Sequence, residues 1–337
     1  MNANTLPLLQ QDDWQDQLRN VISTAEELLN LVRLAPADAG FSADACSDFS
    51  LKVPLAFARR MRPGDPGDPL LLQVLARGEE LIQTPGFSRD PVGETGGANP
   101  AKGIIHKYHG RVLLIVTSGC AINCRYCFRR HFPYAQNQNS RREWREALGY
   151  IRNNHDISEV ILSGGDPLLA DDDYLNELVT QIAAMSHVRR LRIHTRLPVV
   201  IPDRVTEGLL GAITRKSLRT VVVIHSNHAN ELDASVDTAI ARMKQDGITV
   251  LNQSVILAGI NDSAAALAAL SERLFAAGVL PYYLHLLDRV DGAAHFEVPE
   301  ARARELVAEI TATLPGYLVP RLVREEVGAP AKTAVSS

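Results

Sequence analysis

The chain has 337 residues, of which 46% are hydrophobic and 22% are charged, and these fractions are typical of soluble globular proteins. They exclude a disordered tail, a collagen-like fibre and a small disulfide-stapled domain, and the length suggests one large domain or two modest ones. The formal net charge of −4 provides no cationic surface for nucleic acid or an anionic membrane, so we expect neither as a partner.

Residues 1–105 are expected to form a helical N-terminal region with loops that packs on the main domain. Asp12–Leu34 and Pro54–Phe57 have helical patterns, and Gly86–Lys102 is rich in loop residues. The N-terminus lacks the basic and apolar regions of a signal peptide, and no apolar run reaches the ~20 residues that cross a bilayer. We therefore expect a cytoplasmic protein whose thiols stay reduced.

Between residues 106 and 320, short apolar runs alternate with amphipathic helical stretches such as Asp171–Met185, Glu231–Gln245 and Ser263–Ala277. Six runs resemble buried strands: Val112–Thr117, Val160–Ser163, Leu191–Thr195, Val221–His225, Val250–Leu257 and Tyr282–Leu287. Six strand–helix units predict an α/β fold, an open, partial (β/α)6 barrel, although a doubly wound sheet would show the same alternation. Residues 321–337 are expected to add a short strand-like piece and a C-terminal tail.

Polar residues follow several of the predicted strands, where both parallel architectures build their sites. They are Ser163–Asp166, His194–Arg196, His225–His228, Asn252–Ser254 and Asp288. For His194, His225, His228 and His285, two roles stay open: lining a cavity, or satisfying hydrogen bonds inside the protein.

The most informative segment contains three of the four cysteines. Cys120, Cys124 and Cys127 form a C-x3-C-x2-C pattern directly after the first long strand, and Cys46 is isolated. Three thiolates this close in sequence indicate one metal centre. Structural zinc requires four protein ligands, whereas a [4Fe–4S] cluster held by three cysteines keeps one iron open for another ligand. A zinc site completed by a distant histidine, or a group of free thiols, are the alternatives.

This cysteine pattern resembles that of the radical S-adenosylmethionine (SAM) superfamily, in which the open iron chelates SAM and the reduced cluster cleaves it to a 5′-deoxyadenosyl radical. The resemblance implies that Tyr126 lies against the adenine. It also implies that the glycine-rich motif Ser163-Gly164-Gly165-Asp166 lies near the SAM amino group, and that Asn252 and Gln253 contribute to cofactor binding.

Within that superfamily, the stretches HKYHGR, CRYCFRRHFPYA, LSGGDPLL, RIHTRLPVVIP and YYLHLLD resemble the lysine 2,3-aminomutase family, and most closely its short bacterial members that act in the β-lysylation of elongation factor P. The family uses pyridoxal 5′-phosphate (PLP) to carry the migrating amine. The resemblance assigns its covalent attachment to Lys332 and places Lys107, Tyr108 and Arg111 near PLP.

The same resemblance implies a clamp on both ends of a lysine substrate. Arg129 matches the position that binds the α-carboxylate, and Asp288 matches one of two acids that bind the ε-ammonium group. The second acid, usually an aspartate seven residues before the PLP lysine, is here Glu325. Read without the family, Asp288 and Glu325 could instead form surface ion pairs with the arginines that follow or precede them in sequence.

The implied function is conversion of L-α-lysine to β-lysine by a radical, PLP-dependent amino shift that needs an electron donor. The implied partners are elongation factor P and its lysyl ligase. Production of free β-lysine for another use, a non-catalytic iron–sulfur sensor and a zinc-binding interaction module are the rivals. Longer family members carry a C-terminal extension that this sequence lacks, so we expect a monomer or homodimer without structural zinc.

Overall fold

The computed structural model describes residues 13–94, 100–132 and 144–335, and it is built on one nine-stranded sheet. The strands follow one another across the sheet in chain order. They are β1 (Ile104–Tyr108), β2 (Arg111–Thr117), β3 (Glu159–Gly164), β4 (Arg190–Thr195), β5 (Arg219–His225), β6 (Thr249–Val255), β7 (Leu280–His285), β8 (Arg321–Arg324) and β9 (Thr333–Ala334).

Strands β2 to β8 are parallel, and β1 and β9 pair antiparallel at the two edges. A doubly wound sheet reverses its strand order at a switch point, and this sheet does not. The prediction of an open, partial (β/α) barrel is therefore confirmed. The short piece predicted after residue 320 is β8, which adds a seventh parallel strand, and β9 folds back on it.

Among the described residues, five short helices precede the first strand, and the longer helices that follow β2 pack their apolar stripes on the sheet. From the N-terminus they are α1 (Trp14–Arg19), α2 (Ala25–Leu31), α3 (Ala43–Asp48), α4 (Leu55–Ala58), α5 (Pro69–Leu72), α6 (Trp144–Asn153), α7 (Asp172–Ala183), α8 (Leu197–Val200), α9 (Glu207–Ile213), α10 (Ala234–Gln245), α11 (Ala264–Ala276) and α12 (Glu300–Thr313). In α7, Asp171 caps the first turn, and Leu175, Leu178 and Ile182 are buried at helical spacing. Each fully buried side chain of this size stabilises the fold by about 1.5–3 kcal/mol.

The N-terminal region is more broken than its sequence pattern suggested. The stretch predicted to be helical from Asp12 to Leu34 contains two short helices, because Ile22 pairs with Val53 as an isolated β-bridge and Thr24 caps a new helix. Asp12 itself lies outside the described residues. The apolar core is continuous from Trp14 through the barrel to Val279, so the N-terminal helices share their core with the sheet. In the described ranges, no helix is long and apolar enough to span a membrane.

Candidate active site

A cavity of about 500 Å³ opens inside the curved sheet, and the predicted site residues converge on it. With the exception of Asn252, every residue that the sequence pointed to as a metal, cofactor or substrate ligand lines this cavity. The side chains come from distant parts of the chain, because the carboxyl ends of consecutive parallel strands meet at one edge of the sheet.

Asn252 requires a correction. Its side-chain amide accepts from the backbone N–H of Ser226 at 3.0 Å and donates to the Ser226 carbonyl at 3.1 Å, so both ends of the amide are used inside the protein. Adjacent residues of a strand point to opposite faces, and here Gln253 faces the cavity. Asn252 therefore shapes the loop after β5 and does not line the cavity.

The loop that carries Cys120, Cys124 and Cys127 is anchored by a buried ion pair. The fully buried Arg125 donates through Nε and Nη2 to both carboxylate oxygens of Glu80, at 2.7 and 2.5 Å. Breaking such a buried pair by removing one partner costs about 3–5 kcal/mol, because the other charge stays buried without compensation. The arginine inside the cysteine motif thus ties the loop to the N-terminal region.

The three cysteines line the same cavity and are free thiols. Burial, reinforced by the neighbouring thiols, raises the pKa of Cys120 well above its ordinary value and that of Cys127 to about 11. Thiols in this setting ionise readily only beside a strong positive charge, which a metal centre supplies. In the described part of the chain, no three His, Cys, Asp or Glu side chains are grouped as ligands of a single metal ion. Three thiols that line one cavity are a donor set that can hold a [4Fe–4S] cluster with one iron left open.

The glycines of the SGGD motif bring two backbone segments together. Gly164 has φ +123°, and a Cβ there would lie 2.4 Å from the Thr117 carbonyl oxygen. A Cβ on Gly165 would lie 2.0 Å from the carbonyl oxygen of Gly119, immediately before Cys120. Any side chain at either position would therefore displace the start of the cysteine loop.

Asp166 of the same motif is buried and hydrogen-bonded to protein donors on both oxygens. Oδ1 accepts from the Thr195 hydroxyl at 2.6 Å and the Leu168 N–H at 3.1 Å, while Oδ2 accepts from the N–H groups of Arg196 and Leu197 at 2.7 and 2.9 Å. Burial raises the pKa of Asp166, and these four bonds oppose the rise. The carboxylate locks the end of β3 to the end of β4.

Arg129 lies deep in the cavity wall with a carboxylate partner that the sequence did not suggest. Its Nε and Nη2 atoms contact the two oxygens of Glu94 at 2.6 and 2.9 Å, and Nη1 donates to Ser163 Oγ at 3.2 Å and the Gly164 carbonyl at 3.1 Å. Lys107 Nζ lies 3.7 Å from Glu94 Oε1. A substrate carboxylate that uses the fork of Arg129 must therefore share it with Glu94 or replace Glu94.

Lys332 lies in the cavity and forms an ion pair with Glu325, at 3.0 Å between Nζ and Oε2. Tyr108 donates its hydroxyl to the other oxygen of Glu325, and Arg111 stacks 4.9 Å above the Tyr108 ring. Burial would raise the pKa of Glu325, but Lys332 and the hydrogen bond from Tyr108 lower it below its ordinary value. The carboxylate is therefore ionised beside Lys332.

The carboxylate of Asp288 differs from that of Glu325 in its contacts. Among the described residues, its side chain has no hydrogen-bond or ion-pair partner, although it lines the same cavity. Burial raises its pKa to about 7, with Lys332 opposing the rise and Glu325 adding to it. The surface-pair alternatives fail for both acids, because Arg289 pairs with Glu297 and the arginine before Glu325 pairs with other residues.

Of the four histidines whose roles were open, three line the cavity and one forms a hydrogen bond within the protein. His194, His225 and His285 line the cavity, and burial lowers the pKa of each, to about 3 for His225. They are therefore neutral at physiological pH. His228 instead accepts from the Asn230 N–H and caps a short helical turn.

Sequence reasoning missed several cavity residues. Tyr282 and Tyr283 stack with ring centroids 3.8 Å apart, and Lys332 Nζ lies 5.9 Å from the Tyr283 ring. Arg196 donates to Cys124 Sγ. Arg196 is among the polar residues noted after the predicted strands, but no role was assigned to it, whereas Glu94 lies in a loop-rich stretch with no pattern that singles it out.

Comparison with known proteins places this geometry in a family. The radical SAM superfamily matches residues 114–218. The L-lysine 2,3-aminomutase of Escherichia coli (strain K12) is 49% identical over 332 residues, covering 98% of this chain and 96% of that protein. The enzyme of the same name from Haemophilus influenzae is 45% identical, covering 96% of each chain. A solved radical SAM methyltransferase from Sphaerobacter thermophilus is 16% identical with a TM-score of 0.45, covering 66% of this chain and 68% of that one.

Proposed function

Because the chain belongs to the L-lysine 2,3-aminomutase family of radical SAM isomerases, we propose that it converts L-α-lysine to β-lysine and supplies this product for the modification of elongation factor P. The family implies a [4Fe–4S] cluster, SAM and PLP as cofactors, lysine as the substrate and an external electron donor. The cytoplasm is the proposed compartment, since elongation factor P acts there.

Three groups of residues are proposed to hold the cofactors. Cys120, Cys124 and Cys127 would hold the cluster, whose open iron and SAM supply the radical that starts the reaction. The neighbouring motif Ser163–Asp166, together with Tyr126 and Gln253, would shape the SAM pocket; their place in the same cavity as the cysteines supports this assignment.

Lys332 is proposed to attach PLP, which supplies an aldehyde that carries the migrating amine. A lysine five residues from the end of the sequence is ordinarily exposed to solvent, whereas this one enters the cavity and contacts Glu325. Lys107, Tyr108 and Arg111 line the adjacent wall, where a cation suits a phosphate and an aromatic ring suits the cofactor ring.

The substrate is proposed to lie between opposite charges. Arg129 would bind the α-carboxylate through its planar fork. Asp288 would bind the ε-ammonium group. Glu325 would be available to the same ammonium group once Lys332 is attached to PLP and no longer pairs with Glu325. The observation that carries the proposal is the Asp288 carboxylate, which has no hydrogen-bond or ion-pair partner in the described part of the chain and lines the same cavity as Lys332 and the three cysteines. Two acids in the cavity favour a cationic substrate side chain over an acidic one.

An anaerobic assay tests the reaction directly. The chain is reconstituted with iron and sulfide, supplied with SAM, PLP, dithionite and L-lysine, and assayed for β-lysine by chiral chromatography with mass detection. We expect β-lysine only when all three cofactors are present. Cleavage of SAM with lysine untouched would contradict the substrate assignment, and a fully loaded cluster that cleaves no SAM would favour a sensor.

The destination of the product needs a separate experiment. Elongation factor P is co-expressed with its lysyl ligase and this chain, and its intact mass is measured. We expect the mass of a β-lysyl adduct with the wild-type chain and its absence when Lys332 is replaced. Active enzyme that leaves elongation factor P unmodified would favour free β-lysine as the end product.

The raised pKa of Asp288 predicts a pH dependence of substrate binding. Only the ionised carboxylate attracts an ammonium group, so the affinity of the loaded enzyme for lysine should weaken by about tenfold per pH unit below the pKa of Asp288, which is about 7 in the cofactor-free chain. In Asp288→Asn this dependence should disappear and binding should be weak throughout. Isothermal titration calorimetry between pH 5.5 and 8 measures both. A dependence that persists in Asp288→Asn would assign it to another group.

The folding stability of the cofactor-free chain should fall as pH rises, whereas the affinity of the loaded enzyme for lysine should increase. The pKa of Asp288 is higher in the folded chain than in the unfolded one, so the folded state loses stability as pH rises from about 4 through 7, by up to about 4 kcal/mol. Asp288→Asn removes this loss. The cofactor-free variant should therefore unfold at higher denaturant concentration than the wild type at pH 8, and not at pH 4.

A further inference from the structure

A buried arginine contacts one of the proposed cluster ligands. Arg196, directly after β4, donates through Nη1 to Cys124 Sγ and to the Tyr126 hydroxyl, the latter at 2.7 Å. Its Nη2 atom donates to Gln73 Oε1 at 2.7 Å and to Glu231 Oε2 at 3.0 Å. The guanidinium group therefore bridges a cysteine thiol on one side and a carboxylate on the other.

This guanidinium is held in place from several directions. Arg196 is only 6% exposed, and its Cζ atom lies 5.3 Å from the centre of the Phe57 ring. Its backbone N–H donates to Asp166 at 2.7 Å, which fixes the start of the side chain. Arginine is charged at every relevant pH, so a full positive charge is fixed beside Cys124 away from bulk water.

Glu231 compensates this charge from the far side. Its side chain is completely buried, and Oε1 accepts from the backbone N–H groups of Asn227 and His228 at 2.8 and 3.0 Å and from Gln73 Nε2 at 3.1 Å. Oε2 accepts from Arg196. The carboxylate is thus as rigid as the guanidinium but lies behind it as seen from Cys124.

We propose that Arg196 is a positioning residue that raises the reduction potential of the [4Fe–4S] cluster through its hydrogen bond to Cys124, and that Glu231 limits this effect. The inference rests on the proposed function only in taking Cys124 as a cluster ligand. The cysteine motif itself contains neither Arg196 nor Glu231.

The sign of the effect follows from charge. One-electron reduction adds one negative charge to the cluster and its thiolates, and a donor or cation at a ligand sulfur stabilises that reduced form. The low dielectric of a buried site keeps the interaction strong and unscreened by salt. Removing the positive charge should therefore make the cluster harder to reduce, and removing the compensating negative charge should make it easier to reduce.

The test is the midpoint potential of the SAM-free, reconstituted chain, followed by electron paramagnetic resonance during an anaerobic titration with dithionite. Arg196→Gln should shift the potential to a more negative value. Arg196→Lys keeps the charge with fewer donors and should shift it less. Glu231→Gln should shift it to a more positive value, so two substitutions in one ion pair should act with opposite signs.

Arg204 provides the matched control. It is another completely buried arginine, it pairs with Asp172 and bonds the Leu168 and Ala170 carbonyls, and it does not line the cavity. Arg204→Lys should lower thermal stability and leave the potential unchanged. If Arg204→Lys shifts the potential as much as Arg196→Lys, the effect is one of general packing and the inference is wrong.

Two further outcomes would overturn the inference. Arg196 variants with the wild-type potential but weaker SAM binding would make the arginine a SAM anchor instead. Shifts of the same sign in Arg196→Gln and Glu231→Gln would contradict the charge argument. A wild-type chain that binds no iron would contradict the proposed function as well, whereas a normal wild-type cluster with unshifted variants contradicts this inference alone.

Discussion

Replacing Lys332 by alanine is expected to reduce β-lysine formation by at least about 10³-fold while iron content stays at the wild-type value. The variant removes the amine proposed to attach PLP, and the side-chain contacts that it loses are with Glu325 and the Tyr283 ring. Two measurements check this: the rate of β-lysine formation, and covalently bound PLP by intact mass after borohydride reduction.

The ion pair between Lys332 and Glu325 makes a second variant necessary, because its loss alone could disturb the cavity. Lys332→Arg keeps a cation beside Glu325 but offers no primary amine for PLP. If covalent attachment is the role, Lys332→Arg should be as inactive as Lys332→Ala. If Lys332→Arg retains substantial activity, the lysine is only a partner of Glu325 and the attachment site lies elsewhere.

The architecture was predictable because the barrel repeats one local pattern. Apolar runs such as Val112–Thr117 and Val221–His225 are recognisable from composition alone, and their order implies the sheet. The ends of strands were less certain. The run predicted to extend to Leu257 stops at Val255, and the Leu257 N–H bonds the Asn261 side chain instead of a neighbouring strand. Such boundaries depend on contacts between strands that no local pattern contains.

The candidate site likewise contains some residues that the sequence predicted and others that it did not. Cys120, Cys124 and Cys127 were predicted as ligands from a spacing that is local in sequence, and the structure brings them to one cavity. Glu94 was not found, because its pairing with Arg129 joins residues 35 positions apart and depends on how a loop closes over the barrel. Asn252 was expected at the cofactor site but does not line the cavity, since a polar residue at a strand end can face either side and only the register of β6 decides which.

The glycines of the SGGD motif have a structural role that the motif alone does not suggest. Glycines near a ligand are usually explained by the space that the ligand needs. Here Gly164 and Gly165 are required first by the protein backbone, since added Cβ atoms would meet the carbonyl oxygens of Thr117 and Gly119. Gly165→Ala should therefore perturb the cysteine loop itself, a consequence that the sequence motif alone does not suggest.

Replacing Cys120 by alanine is expected to remove the cluster and with it every later step. With two thiolates left, the cluster loses one of its three proposed protein ligands, so iron and sulfide per chain and the visible absorption of the reconstituted protein should fall sharply. SAM cleavage and β-lysine formation should both decrease by at least about 10³-fold. This distinguishes the variant from Lys332→Ala, which should keep its iron.

Cys46 supplies the matched control for that experiment. It is a free, partly buried thiol on α3 that packs against the main apolar core and does not line the cavity. Cys46→Ala should keep full iron content and activity, which would exclude a general effect of losing one thiol. If Cys46→Ala lost iron as Cys120→Ala does, a fourth cysteine would be a ligand. The cluster would then have no iron open to SAM, and radical chemistry at this centre would be excluded.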